Sequence, residues 1–289
     1  MIKLENIRDF GLLNAQTLIT LVRIPLMCRP VHLPSISSGK ELLILGNGPS
    51  LKPFLEKHPD FWRIKDLLAV NHFAETDFFT QVKPSLYVVS APEYWLKDVE
   101  LDFVEKRQRI FNALTEKTNW PLHFFIPVHA KRNLWWKKLL DTNPNIHIHF
   151  YNTMPVEGFW SFRTLLMNMQ CGMPRPHNVI VPALMNAIWS GWKKIYLIGT
   201  EHNWLKDVSI DNENRVYLTL RYFYNDQKAR PTVIKHLGKG QRKLHEILEK
   251  FYWSFKAYHD IQKWAQKKGV KIYNITPGSW IDAFERKEI

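Results

Sequence analysis

An α/β fold with a mainly parallel sheet follows from three features of this sequence. Residues 41–51 read ELLILGNGPSL, four consecutive apolar residues running into a glycine-bracketed turn. An uninterrupted apolar run that stops at a turn is the pattern of a strand covered on both faces. Short runs that read as further strands, bounded by turn residues, recur at 67–70, 85–89, 122–128, 146–151, 194–198 and 270–274. Residues 241–268 carry Leu244, Ile247, Leu248, Phe251, Phe255, Tyr258, Ile261 and Trp264 at helical spacing. Such a stripe packs one helix face on a core, and Gly269 ends the helix.

A chain of 289 residues can bury one large core or two modest ones. Hydrophobic content of 45%, with 12 Trp and 17 Phe, excludes a disordered chain. The 40 Lys+Arg against 27 Asp+Glu leave a net charge of +13. That balance attracts polyanions, nucleotide phosphates or an anionic membrane face without choosing among them. No helix-turn-helix, zinc or RNA-reading signature is present, so nucleic acid is not expected as a partner. Cys28 and Cys171 stand far apart with no metal-ligand pattern around them. This predicts a reducing compartment and no disulfide framework.

Residues 1–40 form an extension to the domain at 41–289. The stretch 10–27 is apolar but interrupted by Asn14, Gln16, Thr17, Thr20 and Arg23, then broken by Pro25. It falls short of the roughly 20 apolar residues of a membrane span, and it lacks a signal-peptide cleavage site. Two readings stand: a helix packed on the domain or on a partner chain, or an interfacial helix whose Arg8, Arg23 and Arg29 meet lipid phosphates. Pro30, Pro34 and the SISSG run at 35–39 read as a linker to the core.

In the glycine turn, Gly46 and Gly48 allow a tight bend and leave no side chain between the backbone and a ligand. Asn47 offers a carbonyl and an amide to a base, sugar or phosphate. Ser50 is placed to cap the next helix, whose free amides favour anions. An ordinary strand-to-helix turn is the alternative. Asn71 ends the second strand at the edge where open parallel sheets bind ligands, or else caps a helix; Ser90 follows the third strand at the same edge. Residues 92–109 alternate charged and aromatic side chains in the manner of a solvated helix face. His147 and His149 share one face of a strand, and two histidines without a third ligand suit structural or solvent-facing roles better than a metal site. Residues 178–192 predict a helix feeding the strand 194–198, with Thr200, Glu201 and His202 emerging at its end. The stretch 158–169 is ambiguous. Residues 205–235 are mostly polar and include Tyr217, Tyr222 and Tyr224; a connection of this length is a lid or binding loop.

The run GNGPSL at 46–51 is followed, in order, by LAVNHF at 68–73, GWKKIYLIGTEHN at 191–203 and VKIYNITPGS at 270–279. Together they resemble two related groups, the family 42 bacterial sialyltransferases and the MptE-like (Maf-type) proteins associated with nonulosonate transfer and pterin phosphorylation. The likeness covers roughly 41–284. It implies a Rossmann-like fold, a GT-A-like variant with helices on both sheet faces and a lid at about 205–239. In that lid tyrosine hydroxyls neutralise the leaving phosphate without a metal, which makes Tyr222 and Tyr224 candidates. Glu201 matches an acidic residue that holds a ribose hydroxyl or an acceptor, or it caps the next turn; Thr200 stands beside it. Pro277 and Ser279 match an element that touches the base or phosphate, before a helix at 280–285.

The resemblance also has departures. A serine-glycine pair that holds the donor is replaced by Val179 and Ile180, leaving Asn178 to substitute. The catalytic histidine aligns with Lys239, three residues after His236. The base is then His236 or His202, or the activity differs; a histidine suits the task because its ordinary pKa of about 6.5 lies near cellular pH. Lys239 would steady phosphate or carboxylate. The implied activity is inverting, metal-independent and cofactor-free transfer of a nonulosonic acid from a CMP-sugar to a bacterial surface glycan such as lipopolysaccharide or capsule. It would take place in the cytoplasm, peripherally on the inner membrane, with a homo-oligomer open. The alternatives are an MptE-like pyrophosphokinase using ATP and Mg²⁺, and a non-catalytic nucleotide-sugar-binding protein of polysaccharide assembly.

Overall fold

The computed structural model describes residues 4–224, 230–233 and 240–289. His236 and Lys239 therefore lie outside the described residues. The chain opens with helix α1 (Leu4–Met27), then β1 (Leu42–Leu45), α2 (Leu51–Lys57), α3 (Pro59–Arg63), β2 (Asp66–Val70), α4 (Phe78–Val82), β3 (Leu86–Val88) and α5 (Leu101–Lys117). It continues through β4 (Leu122–Pro127), α6 (Trp135–Leu140), β5 (Ile146–Tyr151), α7 (Trp160–Asn168), α8 (Ile180–Trp189) and β6 (Lys194–Ile198). Three short strands follow, β7 (Val208–Ile210), β8 (Val216–Leu218) and β9 (Thr232–Val233), and the chain ends with α9 (Leu244–Lys267), β10 (Lys271–Asn274) and β11 (Glu285–Arg286).

Eight strands form one parallel sheet in the order β11-β10-β6-β1-β2-β3-β4-β5. The winding reverses between β1 and β6, which gives a Rossmann-like α/β fold with a topological switch point at their carboxyl ends. The apolar runs are continuous because both faces are covered. Leu42, Ile44, Leu68, Val70, Ile195 and Leu197 pack on the side of α8 and α9. Leu43, Leu45, Leu67, Ala69, Tyr196 and Ile198 point the other way, into a cluster with α2 and α5. β7, β8 and β9 make a separate antiparallel sheet within the expected lid segment.

Several expectations need correction. Residues 280–285 do not form a helix: Ser279 Oγ accepts from the amide of Ile281, and the chain then runs into the edge strand β11. The stretch 92–109 is not simply a solvated face, because Tyr94, Trp95 and Arg107 are buried. A third histidine joins the pair on β5: His123 on β4 lies beside His147, and its Nδ1 is 2.9 Å from His149 Nε2. Burial lowers the pKa of His123, and burial together with its histidine neighbours takes His149 down to about 4. Residues 8–27 are long and apolar enough, by length and composition, to cross a membrane. They form a helix that is nevertheless docked on the domain.

That docking uses polar contacts. The amides of Glu157 and Phe159 donate to the hydroxyls of Thr20 and Thr17, both at 3.1 Å. Arg23 reaches Glu157 at 2.6 Å, and Arg175 holds the other carboxylate oxygen at 2.8 Å. The two guanidiniums keep this carboxyl below its usual range against the desolvation that would raise it. Gly158 has φ +96° and an added Cβ would lie 2.7 Å from the Thr17 backbone, so a bare backbone is what lets α1 approach.

Cys28 and Cys171 then close the contact as a disulfide, with Cα atoms 5.3 Å apart and a separation of 143 positions in sequence. This overturns the expectation of unpaired cysteines: separation along the chain says nothing of separation in space. A cross-link over so long a loop restricts the unfolded chain strongly. Cys28→Ser is expected to lower stability by about 4 kcal/mol, read as a drop in the thermal midpoint. Reductant should reproduce that drop in the wild type and leave the variant unmoved.

Candidate functional site

The switch point opens into a cavity of about 660 Å³. Gly46, Asn47 and Gly48 after β1, Asn71 after β2, Ser90 after β3, and Glu201 and His202 after β6 all line it. Asn178, before α8, lines it from one side and Tyr222, after β8, from another. The sheet thus gathers, at one edge, side chains spread over more than half the sequence.

Packing alone already requires both glycines. Gly46 N–H donates to Ile198 O and Gly48 N–H to Gly199 O, both at 2.8 Å. A Cβ on Gly46 would lie 2.3 Å from Gly199 O, and one on Gly48 1.6 Å from Glu201 Oε2. Backbone of β6 and the Glu201 carboxylate fill the space a side chain would take. Ser50 makes no side-chain cap; its amide donates to Glu201 Oε1 at 2.7 Å instead. A carboxylate already satisfies the start of α2, so this turn is not an open anion cradle.

What remains is a set of hydrogen-bonding atoms without partners among the described residues: Asn47 Oδ1, Asn71 Oδ1, Glu201 Oε2, Ser50 Oγ and Asn178 Nδ2, all buried. Buried polar atoms are normally paired; four of the five belong to residues that line the cavity, where a bound ligand would meet unmet bonding capacity, while Ser50 does not line it. Three of the five can only accept. Asn47 is held by its Nδ2, which donates to Val70 O at 3.0 Å. Asn71 adopts φ +49°, and its carbonyl accepts from the Tyr87 hydroxyl.

His202 is oriented by a chain of bonds whose direction is fixed. Asn178 Oδ1 accepts from the amides of Ile180 and Val181, at 2.9 and 3.3 Å, and so caps α8. The same oxygen accepts the Tyr258 hydroxyl at 2.9 Å. With its one proton committed, that hydroxyl must accept from His202 Nδ1–H, 2.9 Å away. The neutral ring therefore carries its proton on Nδ1 and leaves Nε2 a bare acceptor. The ring stacks on Trp204 at 4.1 Å between centroids, and desolvation takes its pKa down to about 3.

Another part of the lining is basic. Lys250, Arg242 and His177 contribute to it; burial first, then Arg242, lower the Lys250 pKa, and burial with nearby cations takes His177 to about 4. Lys250 and Arg242, whose charges disfavour one another, are poised for an anion, and His177, neutral at cellular pH, stands beside them. Glu93 faces both this cavity and a neighbouring one of about 990 Å³, sharing that wall with Tyr222, Phe103 and Leu220. Burial raises the pKa of Glu93 and keeps the Tyr222 phenol protonated. Tyr224 lines the neighbouring cavity and stacks on Tyr222 at 5.3 Å.

Not every expected residue meets in the cavity. Thr200 and Ser279 lie beneath it: Ser279 Oγ donates to Thr200 O at 2.6 Å, and Thr200 Oγ1 is 3.0 Å from Thr276 Oγ1. Pro277 is exposed and lines neither cavity. This C-terminal turn braces the end of β6 instead, the Trp280 amide donating to Glu201 O at 2.7 Å. Sequence reasoning missed Glu93, Tyr258, Arg242 and Lys250. Glu93 follows Ser90 by three positions at the sheet edge, a usable signal. The others belong to α9 and the residues just before it, where they look like stripe or surface.

No family model and no curated protein matches the chain. Among solved structures, one described as a MAf glycosyltransferase from Magnetospirillum magneticum AMB-1 aligns with a TM-score of 0.48 and 10% identity, over 95% of this chain and 38% of that one. The chain thus spans well under half the length of that protein, and so distant a likeness says nothing of what this chain does.

Proposed function

We propose that this protein is a glycosyltransferase that takes a nucleotide-activated sugar, with a CMP-linked nonulosonate as donor and a surface glycan as acceptor. The observation that carries the reading is the division of one cavity into unpartnered acceptors around Asn47, Asn71 and Glu201 and a basic wall of Arg242 and Lys250. A CMP-linked nonulosonate presents hydroxyl and amine donors on its nucleoside and, beyond them, an anionic phosphate and a sugar carboxylate, and a volume of this size is ordinary for such a ligand. A triphosphate at the glycine turn would meet the Glu201 carboxylate, which disfavours the pyrophosphokinase alternative.

In this reading the acceptor enters from the neighbouring cavity, past Glu93 and Tyr222. His202 Nε2 accepts the acceptor hydroxyl proton as the new bond to the sugar forms on the face opposite the leaving phosphate. A pKa near 3 makes the ring a poor base in the ligand-free protein. The phosphate of a bound donor would raise it, since a nearby anion favours imidazolium, so the base works only in the loaded site. Tyr222 donates its phenolic proton toward the departing phosphate, and Lys250 offsets its charge. The reaction as proposed needs no metal.

The test is a thermal-shift panel of CMP, CMP-sialic acid, CMP-Kdo, UDP-sugars, GDP-sugars and ATP, with and without Mg²⁺, on the wild type and Asn47→Ala. Stabilisation by CMP ligands irrespective of Mg²⁺, weakened about tenfold in affinity by the variant, is expected, followed by transfer to a glycan acceptor. Stabilisation by ATP only with Mg²⁺ would overturn the reading, and tight CMP binding without transfer would leave a binding protein.

A further inference from the structure

Helix α1 is mounted with its amphipathicity reversed. The face turned to the domain carries Thr17, Thr20 and Arg23, all engaged by the 157–159 segment. The outward half of the helix carries Leu12, Ala15, Leu18, Ile19, Leu21, Val22, Pro25 and Leu26. Its six large side chains, with the flanking Phe10, are 46–63% exposed. At 100° per residue these outward positions sweep roughly half the helix circumference. Only Asn14 and Arg8 interrupt the arc, and the Asn14 amide bonds back to Phe10 O at 2.8 Å. Soluble helices place such a stripe inward, and an apolar patch of this extent marks an interaction surface.

We infer that α1 is a membrane-surface element, lying in the plane of an anionic bilayer with its outward face in the acyl boundary while the inward face stays docked on the domain. Three observations choose this occupant. The arc is about twice as wide as the narrow seam through which two helices pair. Basic groups border it: Arg8 near one end, Arg29 at the other, and exposed Lys263 and Lys267 over Trp160, next in the chain to Phe159, whose ring meets Phe10 at 5.6 Å. A tryptophan among lysines beside an apolar face is the composition of a membrane interface. Finally, a net charge of +13 favours anionic lipid and opposes pairing with a second copy. Crossing the bilayer would tear Thr17, Thr20 and Arg23 from their partners, while the Cys28–Cys171 bridge tethers the end of the helix to the domain.

The experiment is flotation of the full chain with vesicles of phosphatidylcholine alone and of phosphatidylcholine with phosphatidylglycerol, beside Leu18→Glu/Val22→Glu, both exposed positions. Binding to the anionic vesicles is expected, reduced at least about tenfold in the double variant with the thermal midpoint unchanged. Three results would overturn the inference: no flotation of the wild type, binding that the double variant retains in full, or resistance of bound protein to alkaline carbonate. So would a wild-type dimer in light scattering that the double variant splits without any vesicle binding, which would assign the face to a second copy.

Discussion

His202→Ala should lower transfer by about 10²–10⁴-fold, the usual worth of a positioned general base, while CMP affinity changes by no more than about threefold. His202→Gln separates the roles: its carbonyl can accept a hydroxyl but cannot carry a proton away, so it should stay as slow as Ala. Tyr258→Phe should fall between, because removing the acceptor of Nδ1–H frees the ring to take the other tautomer. A kcat within threefold of wild type in both His202 variants would remove this residue from the chemistry and return attention to His236. The same residue predicts a pH dependence of folding. Its pKa is about 3 in the folded chain against about 6.5 when unfolded. The neutral form is thus the one the fold accepts, and the stability is complete above pH 6.5 and lost as pH falls toward 3. Between pH 6.5 and 5 this group alone amounts to about 2 kcal/mol, so the thermal midpoint of His202→Gln should fall less steeply over that window. His149 and His177, both near 4, act with the same sign and keep some slope in the variant.

How far such a site could be read beforehand depended on whether the signal was local. The apolar runs at 42–45 and 195–198, the second opened by Lys194 at the strand's half-buried start, gave strands to the residue, since a strand buried on both faces needs its interior positions apolar. Asn47, Asn71, Ser90, Glu201 and His202 were legible because the ends of parallel strands converge wherever the winding reverses. The roles of the glycines were not: nothing in GNGPS says that a carboxylate 151 residues from Ser50 will occupy its amide. Thr200 and Ser279 were misplaced for the same reason, each being the other's partner across 79 positions. The orientation of α1 was equally hidden, because which face of an apolar helix turns inward depends on Glu157 and Gly158 far along the chain.

Gly46→Ala is expected to be the most damaging single methyl in the site. The added carbon would stand 2.3 Å from Gly199 O, 2.8 Å from Gly199 C and 2.7 Å from Thr200 Cγ2. Two of these are backbone atoms, and the third belongs to a side chain pinned by Thr276. Relief can come only by parting the ends of β1 and β6, which are joined through Gly46 N to Ile198 O and Gly48 N to Gly199 O. Overpacking against fixed backbone costs about 3 kcal/mol or more, roughly 6–12 °C in thermal midpoint for a chain of this size. The same displacement carries Glu201 away from Ser50, so nucleotide stabilisation should vanish even at temperatures where the variant is folded. Gly48→Ala supplies the contrast. Its nearest obstacle is the far end of the Glu201 side chain, which can turn at the cost of its bond to the Ser50 amide, although Gly199 O lies at 2.8 Å. Folding should suffer less there, and ligand binding nearly as much. Equal thermal midpoints for Gly46→Ala and wild type would mean that the two strand ends are not locked together. If instead Gly48→Ala bound nucleotide normally, Glu201 would have no part in holding the ligand.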